Sequence, residues 1–260
     1  TVVYDSLNNI VWIGTLNNVY TYNPVDNSVS RPFEGKETET ININALGGCI
    51  TKDGNLWISS AFGLLRIDLR SYSEGKLEYH KYVNRFVNPE SHERERVTCI
   101  FQSKSGDIWI GSNGGGIYQV EKKGTDDYSF ISYTTSDGLI SNNVRGILED
   151  WYGNIWITTI NGLSKYNPKE KIFSSYTSKD GLASDLFYWN GVASSFSGDK
   201  IYLGSVGGLS EVHPVIEKEK ASDFPLVINK INVFDKVCYP KDNVLELHER
   251  DKSLSIEFAA

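Results

Sequence analysis

Methionine is missing from all 260 residues, and cysteine occurs only three times. Cys49, Cys99 and Cys238 are an odd number without C-x-x-C spacing. That excludes a disulfide framework and a thiolate zinc site, and leaves small buried thiols as the expectation. Basic residues are too few to favour nucleic acid: 26 Lys and Arg stand against 33 Asp and Glu, with no local cationic cluster. Apolar runs are short and interrupted by Gly or Asn, so no segment reads as a membrane span. N-x-[ST] sequons are absent too, which disfavours a eukaryotic secreted origin. Neither a signal peptide nor an initiating Met is present, and the chain reads as an internal piece of a longer protein. What remains is 40% hydrophobic and 12% aromatic, enough for a packed core.

The chain repeats itself. NNIVWIGT (8–15), DGNLWISS (53–60), SGDIWIGS (105–112), YGNIWITT (152–159) and SGDKIYLGS (197–205) share one frame. Their anchors Trp12, Trp57, Trp109, Trp156 and Tyr202 are separated by 45, 52, 47 and 46 residues. A second string follows each: NNVYTYNP, FGLLRID, GGIYQV, NGLSKYNP and GGLSEVHP. A period near 46 is that of one four-stranded propeller blade. Helical repeats of that length would need a sustained 3.6-residue stripe, and none exists; the apolar runs are short, β-branched or aromatic, and bounded by Gly, Asn or Asp. In the third unit VTCIFQS reads as the inner strand, SGD as a tight turn, DIWIGS as the second strand, IYQVEKK as the third and YSFISYTT as the outer one. The recurring rings are expected to fill the gaps between blades, and the recurring glycines to serve turns.

The fold class expected is all-β: five four-stranded blades over residues 1–214, a linker over 215–225, and over 226–260 the first strands of an immunoglobulin-like sandwich. LVINKINVF (226–234), VLELHE (244–249) and SLSIEFAA (253–260) alternate as sandwich strands do.

These strings resemble two-component regulator propeller repeats. YTTSDGLISNNV (133–144) and its echo YTSKDGLASDLF (176–187) are similar to that family's link between blades. Phe187 through GLSEVHP resembles its last blade, and Phe224 to SLSIEFAA resembles the start of the triple-tyrosine domain that follows such propellers. The resemblance implies a partial seven-bladed propeller. It further implies the periplasmic sensor region of a Bacteroidetes hybrid two-component system, joined to the membrane through helices elsewhere in the parent. That parent is a histidine kinase, homodimeric, and this segment binds glycan-derived oligosaccharide, no nucleic acid and no cofactor. The alternatives are a propeller lyase or hydrolase, and a protein-interaction scaffold.

Metal-ligating and catalytic chemistry is poorly represented. His80, His92, His213 and His248 do not recur by blade and lack ligand spacing, so no metal site is expected. Asp53 and Asp107 sit in strand turns, where Asp bonds local backbone. Residues that break the repeat carry more information. Eleven positions before the anchor stand Leu46, Thr98, Arg145 and Gly191, and Arg145 is the lone charge. With Asn142, Asn143, Trp189, Asn190, Arg94 and Arg96 it forms the candidate ligand-binding set: rings for sugar faces, amides for hydroxyls, guanidinium for anionic sugars. Trp151 and Tyr152 fall in a turn on the opposite face and are the candidate interface.

Overall fold

The computed structural model describes residues 1–35, 44–82, 96–124, 127–214, 227–233, 236–238, 247 and 253–259. The first sheet runs β1 (Val2–Asp5), β2 (Ile10–Gly14), β3 (Val19–Asn23) and β4 (Ser28–Ser30). The second has β5 (Ala45–Ile50), β6 (Asn55–Ser60), β7 (Gly63–Asp68) and β8 (Tyr79–Tyr82), with the short helix α1 (Leu69–Ser73) before β8. The third has β9 (Arg96–Gln102), β10 (Ile108–Asn113), β11 (Ile117–Lys122) and β12 (Tyr128–Tyr133). The fourth has β13 (Val144–Glu149), β14 (Ile155–Thr159), β15 (Leu163–Asn167) and β16 (Ile172–Tyr176); the fifth has β17 (Phe187–Ser194), β18 (Ile201–Ser205) and β19 (Gly208–Val212). Each is an antiparallel meander in chain order. Their first strands lie side by side, β1 by β5, β5 by β9, β9 by β13 and β13 by β17, which is the blade arrangement of a propeller.

Among the described residues the fifth blade pairs three strands, where four are expected; the stretch after Pro214, residues 215–226, lies outside the described residues. Helix α1 is a further departure. Asp68 caps it by accepting from the Arg70 and Ser71 amides, and its residues account for part of the longer second spacing.

Each indole packs against the blade that follows its own. Trp12 lies with Leu56, Ile58 and Leu65; Trp57 with Val97, Ile108 and Ile110; Trp109 with Val144, Ile155 and Ile157; Trp156 with Phe187, Ile201 and Leu203. All four are buried. Glycine completes the fit within the strands. A β-carbon on Gly111 would stand 2.5 Å from both Cys99 Sγ and Val144 Cγ1, and one on Gly14 would stand 2.6 Å from Ala45 Cβ. These repeat glycines therefore admit the next inner strand and do not serve turns. Gly106, at φ +101° in the SGD turn, is the turn glycine.

The D-G-L links have an equally local cause. Thr134 and Asp137, and again Thr177 and Asp180, form capping boxes around single 3-10 turns, closed by left-handed Gly138 and Gly181. Leu139 then drops into the core between third and fourth blades. In the inner turns, Asp5 and Asp150 do the backbone bonding expected of Asp53 and Asp107. Asp150 Oδ1 accepts from the Tyr152 and Asn154 amides at 2.8 and 2.9 Å, and Oδ2 accepts from Trp156 Nε1 at 2.8 Å. Asp53 Oδ1 instead accepts from the Thr51 hydroxyl at 2.5 Å, and Asp107 Oδ2 from the Ser105 hydroxyl at 2.5 Å.

The chain divides into two compact units, Thr1–Pro214 and Val215–Ala260. The second holds a three-stranded antiparallel sheet in the order β21 (Lys236–Cys238), β20 (Val227–Val233), β22 (Leu254–Ala259). Strands β20 and β22 coincide with LVINKINVF and SLSIEFAA. VLELHE lies outside the described residues except for Leu247. Among the described residues no helix is long and apolar enough to cross a membrane.

Trp109→Ala should lower unfolding free energy by about 3–5 kcal/mol, through a cavity between third and fourth blades; denaturant titration of the two proteins measures it. Asp150→Ala strips a buried indole and two amides of their common acceptor and should cost about 2–4 kcal/mol. A loss below 1 kcal/mol in either titration contradicts the role given to that side chain.

Candidate functional site

The inner strands share one irregularity. The β5–β6 register slips between Ala45 and Gly47, the β9–β10 register at Thr98, and the β13–β14 register between Val144 and Gly146. Each slip extrudes one residue: Leu46, Thr98 and Arg145. The fifth blade extrudes four, Tyr188–Gly191, between the paired Phe187 and Val192. The repeat-breaking positions of the sequence are thus β-bulges at the same end of four inner strands. Bulges bend a strand and re-aim a side chain, and they are frequent beside functional sites.

The bulges touch one another. Thr98 Oγ1 donates to Val144 O at 3.0 Å, and Asn190 Nδ2 donates to Leu46 O at 3.1 Å, joining the fifth blade to the second. The guanidinium carbon of Arg145 lies 3.4 Å from the centroid of the Trp189 ring. Trp189 keeps 45% of its surface exposed, so its ring is sandwiched on one side only. Arg145 Nε and Nη1 are buried and have no hydrogen-bond partner. Burial lowers the proton affinity of the guanidinium, although its pKa stays that of a cation at neutral pH.

Arg145, Trp189 and Asn190 are therefore brought together, and the rest of the predicted set divides. Asn142 is a structural residue: its Oδ1 accepts from the Thr135 amide at 2.8 Å and its carbonyl accepts from Gly114 and Gly116. Asp185 repeats the contact one blade on, accepting from Ser178 N at 2.5 Å. That echo, visible in the two link strings, marks Asn142 as part of the repeat. Asn143 stands at the same end with its side-chain amide unengaged, while its carbonyl accepts from Ile160 N. Arg96 is exposed at the start of β9, two residues before Thr98. Arg94 lies outside the described residues.

Trp151 and Tyr152 follow β13 at its other end, about 20 Å from Arg145 by strand rise. Trp151 is exposed; Lys104 Nζ sits 4.9 Å from its ring, and it packs on Gly198 of the fifth blade's turn. This rim is braced from blade to blade. Lys52 N donates to Gln102 Oε1 at 2.9 Å, and Lys104 N donates to Glu149 Oε2 at 2.7 Å. A hollow of about 400 Å³ lies there between the inner strands, lined by Phe101, Lys104, Glu149 and Ser194 among others. Glu149 is the one carboxylate in that lining, already engaged.

A second hollow, about 630 Å³, separates the second and third blades and carries Asp53, Asp107 and Glu121. Burial works to raise the Asp53 pKa. The Thr51 hydroxyl, Asn55 and Lys122 outweigh it and hold the carboxyl below its ordinary value. Lys122 Nζ stands 3.7 Å from Asp53 Oδ2. Asp53 is thereby held ionised and cannot act as a general acid near neutral pH. Among the described residues no group of three His, Cys, Asp or Glu side chains is placed to hold a metal ion. Cys99 is buried in the core, its thiol pushed up to about 12 by burial, and it does not serve as a nucleophile near neutral pH.

With this geometry in view, the similarities of the chain are informative. A family model described as two component regulator propeller matches residues 93–114, the entry to and core of the third blade. Histidine kinase P4 of Formosa agariphila is 26% identical over 208 residues, 79% of this chain and 15% of that protein. The chain thus spans a small part of the curated relative it matches. The extracellular domain of a putative hybrid two component system from B. thetaiotaomicron superposes with a TM-score of 0.60 at 17% identity, over 89% of this chain and 32% of that one. Virginiamycin B lyase from Staphylococcus aureus superposes with a TM-score of 0.53 at 16% identity, over 83% and 70%. At such identities the superpositions speak for the fold alone. A stretch of the third blade is thus similar to the two component regulator propeller repeat, and most of the chain is similar to part of a histidine kinase.

Asn142→Ala should lower stability by about 1 kcal/mol, the worth of one hydrogen bond with its turn, whereas Asn142→Asp should be tolerated because Asp185 does the same work one blade on. Thermal unfolding of both variants checks this; equal losses would contradict it.

Proposed function

We propose that this chain is the ligand-sensing part of an extracellular or periplasmic sensor region in a hybrid two-component histidine kinase, and that its ligand is a glycan-derived oligosaccharide. The observation that carries the reading is the four-residue bulge of β17. It lays Trp189 over Arg145 and leaves the other ring face open, at the end of the inner strands where four blades converge. An open indole face suits the apolar face of a sugar ring. The unengaged Asn143 amide and the guanidinium edge suit hydroxyls and charged substituents.

The segment itself acts by binding. The one carboxylate lining the hollow between inner strands already accepts from the Lys104 amide, and Asp53 in the groove between blades is held below its ordinary pKa, the opposite of the raised acid that glycan cleavage requires. The fold shared with a lyase does not transfer the lyase's chemistry. A ligand passes a signal onward only by binding two arrangements of the homodimeric sensor with different affinity. Trp151 and Tyr152, on the far rim, are the surface we assign to contact with a partner.

Titration calorimetry of the purified chain against neutral and acidic oligosaccharides from plant and algal walls tests the reading. At least one oligosaccharide should bind without being consumed. Trp189→Ala should weaken it about tenfold or more while changing stability by under about 1 kcal/mol. Chemical turnover of any of these sugars, or unaltered affinity in the Trp189 variant, would contradict it.

A further inference from the structure

Arg145 is unlike any other part of the bulge layer. Leu46 meets Asn190 through its carbonyl, and Thr98 spends its hydroxyl on Val144. Arg145 carries a full charge into the same layer and spends none of its donors there. Nε and Nη1 are sealed from water without a partner, and among the described residues no carboxylate lies within 4.0 Å to balance it. A cation partly removed from water with no counter-charge works against folding. Its plane is nonetheless fixed, because Trp189 covers one face at 3.4 Å. A guanidinium held against an indole with Nε and Nη1 sealed presents its remaining nitrogen, Nη2, outward, where it can donate to an oxygen of a planar or tetrahedral oxyanion.

The rest of the layer excludes an internal answer. Trp189 belongs to a bulge whose backbone is itself tied across to the second blade by Asn190, which holds a left-handed φ of +50°. Asn143 adds an unengaged amide two residues before Arg145. The three groups come from the ends of two inner strands and have packing roles for the ring alone. Donors without acceptors, beside an open aromatic face, describe half of a recognition site.

We infer that the oligosaccharide read by this site is acidic, and that a carboxylate or sulfate on it is received in the plane of the Arg145 guanidinium while its sugar ring covers the open face of Trp189. This rests on the sensor reading above and names its ligand class. A neutral sugar can also accept from Arg145. It does so with hydroxyls, whose bonds to a cation are weaker than those of an oxyanion and leave the charge unbalanced. The charge is therefore what selects.

The test uses the whole chain and three probes of similar size: trigalacturonate, a sulfated chondroitin disaccharide and neutral galactotriose. Calorimetry should show at least one acidic probe binding about tenfold or more tighter than galactotriose, with affinity falling as NaCl rises. Arg145→Met keeps the stem on Trp189 and removes the charge. It should weaken the acidic probe about thirtyfold and galactotriose by no more than about threefold, with a melting temperature at or above that of the parent chain. Arg145→Lys keeps the charge but loses the planar group that lies against Trp189 and should fall between the two.

Equal affinity for neutral and acidic probes, no binding of either acidic probe, or an Arg145→Met chain that binds them as before would each overturn the inference. The two proposals fail separately. Galactotriose bound at least as tightly as both acidic probes, with that affinity lost in Trp189→Ala, would overturn the acidic ligand and leave the sensor reading standing. A melting temperature that falls sharply in Arg145→Met, with affinity retained, would make Arg145 a packing residue and overturn the inference as well.

Discussion

The structure depends on an indole set between two sheets. A twisted four-stranded meander has two faces and cannot bury both alone, so each blade is stable only against its neighbours. Trp12, Trp57, Trp109 and Trp156 solve this in the same way, each reaching from the second strand of its blade into the apolar face of the next. Around them Tyr72, Tyr82, Tyr133 and Tyr176 add ring contacts at centroid distances of 4.9, 5.7, 6.1 and 5.7 Å. Gly14 and Gly111 bring the following inner strand close enough for that fit. The polar end of the indole is settled differently from blade to blade. Trp12 and Trp156 donate to Asp5 and Asp150, while Trp57 and Trp109 have Thr51 and Ser103 at the equivalent place and buried, unpartnered Nε1 atoms. Packing is thus the shared requirement, and the hydrogen bond is a refinement that two blades do without.

The site follows from this frame. Radial packing at a fixed spacing forces the inner strands side by side, and side-by-side strands bring their bulges to one level. Where the bulge is a single residue, neighbouring backbones are simply bridged, as by Thr98. Where it is four residues long, a ring reaches back onto the preceding blade and covers Arg145. A rigid scaffold with irregular ends is the usual division of labour between stability and recognition. The opposite rim, bonded from Lys52 to Gln102 and from Lys104 to Glu149, holds the turns in step.

How much of this is legible in the chain alone depends on periodicity. Blade count, strand order and the wedge role of the Trp residues can be read because each recurs, and recurrence has few physical causes. Arg145 stands out because it breaks the pattern at a position that proves to be the bulge. Trp189 is legible as a member of the same set, but its contact is not: aligned on the anchors, the fifth unit shows Gly191 at that position, and nothing in the string announces that Trp189 folds back by two places. Asn142 reads as an exception because its echo is Asp185, a different residue whose Oδ1 accepts from the equivalent amide one blade on. Recurring Gly54, Gly106, Gly153 and Gly198 are legible as turn residues and hold positive φ, whereas the close-approach role of Gly14 and Gly111 leaves no local trace in the string. Helix α1 is five residues long and owes its place to the Asp68 cap and to Leu69 in the core, which no helical stripe reveals.

The central claim is that adjacent blades are held by rings reaching from one into the next. A double-mutant cycle between Trp109 of the third blade and Tyr166 of the fourth, whose rings meet edge to face at 5.5 Å, measures that reach directly. The account predicts a coupling energy of about 0.5–1.5 kcal/mol in equilibrium unfolding of the whole chain. Losses that simply add, with no coupling, would show that the two blades do not depend on each other and would contradict it.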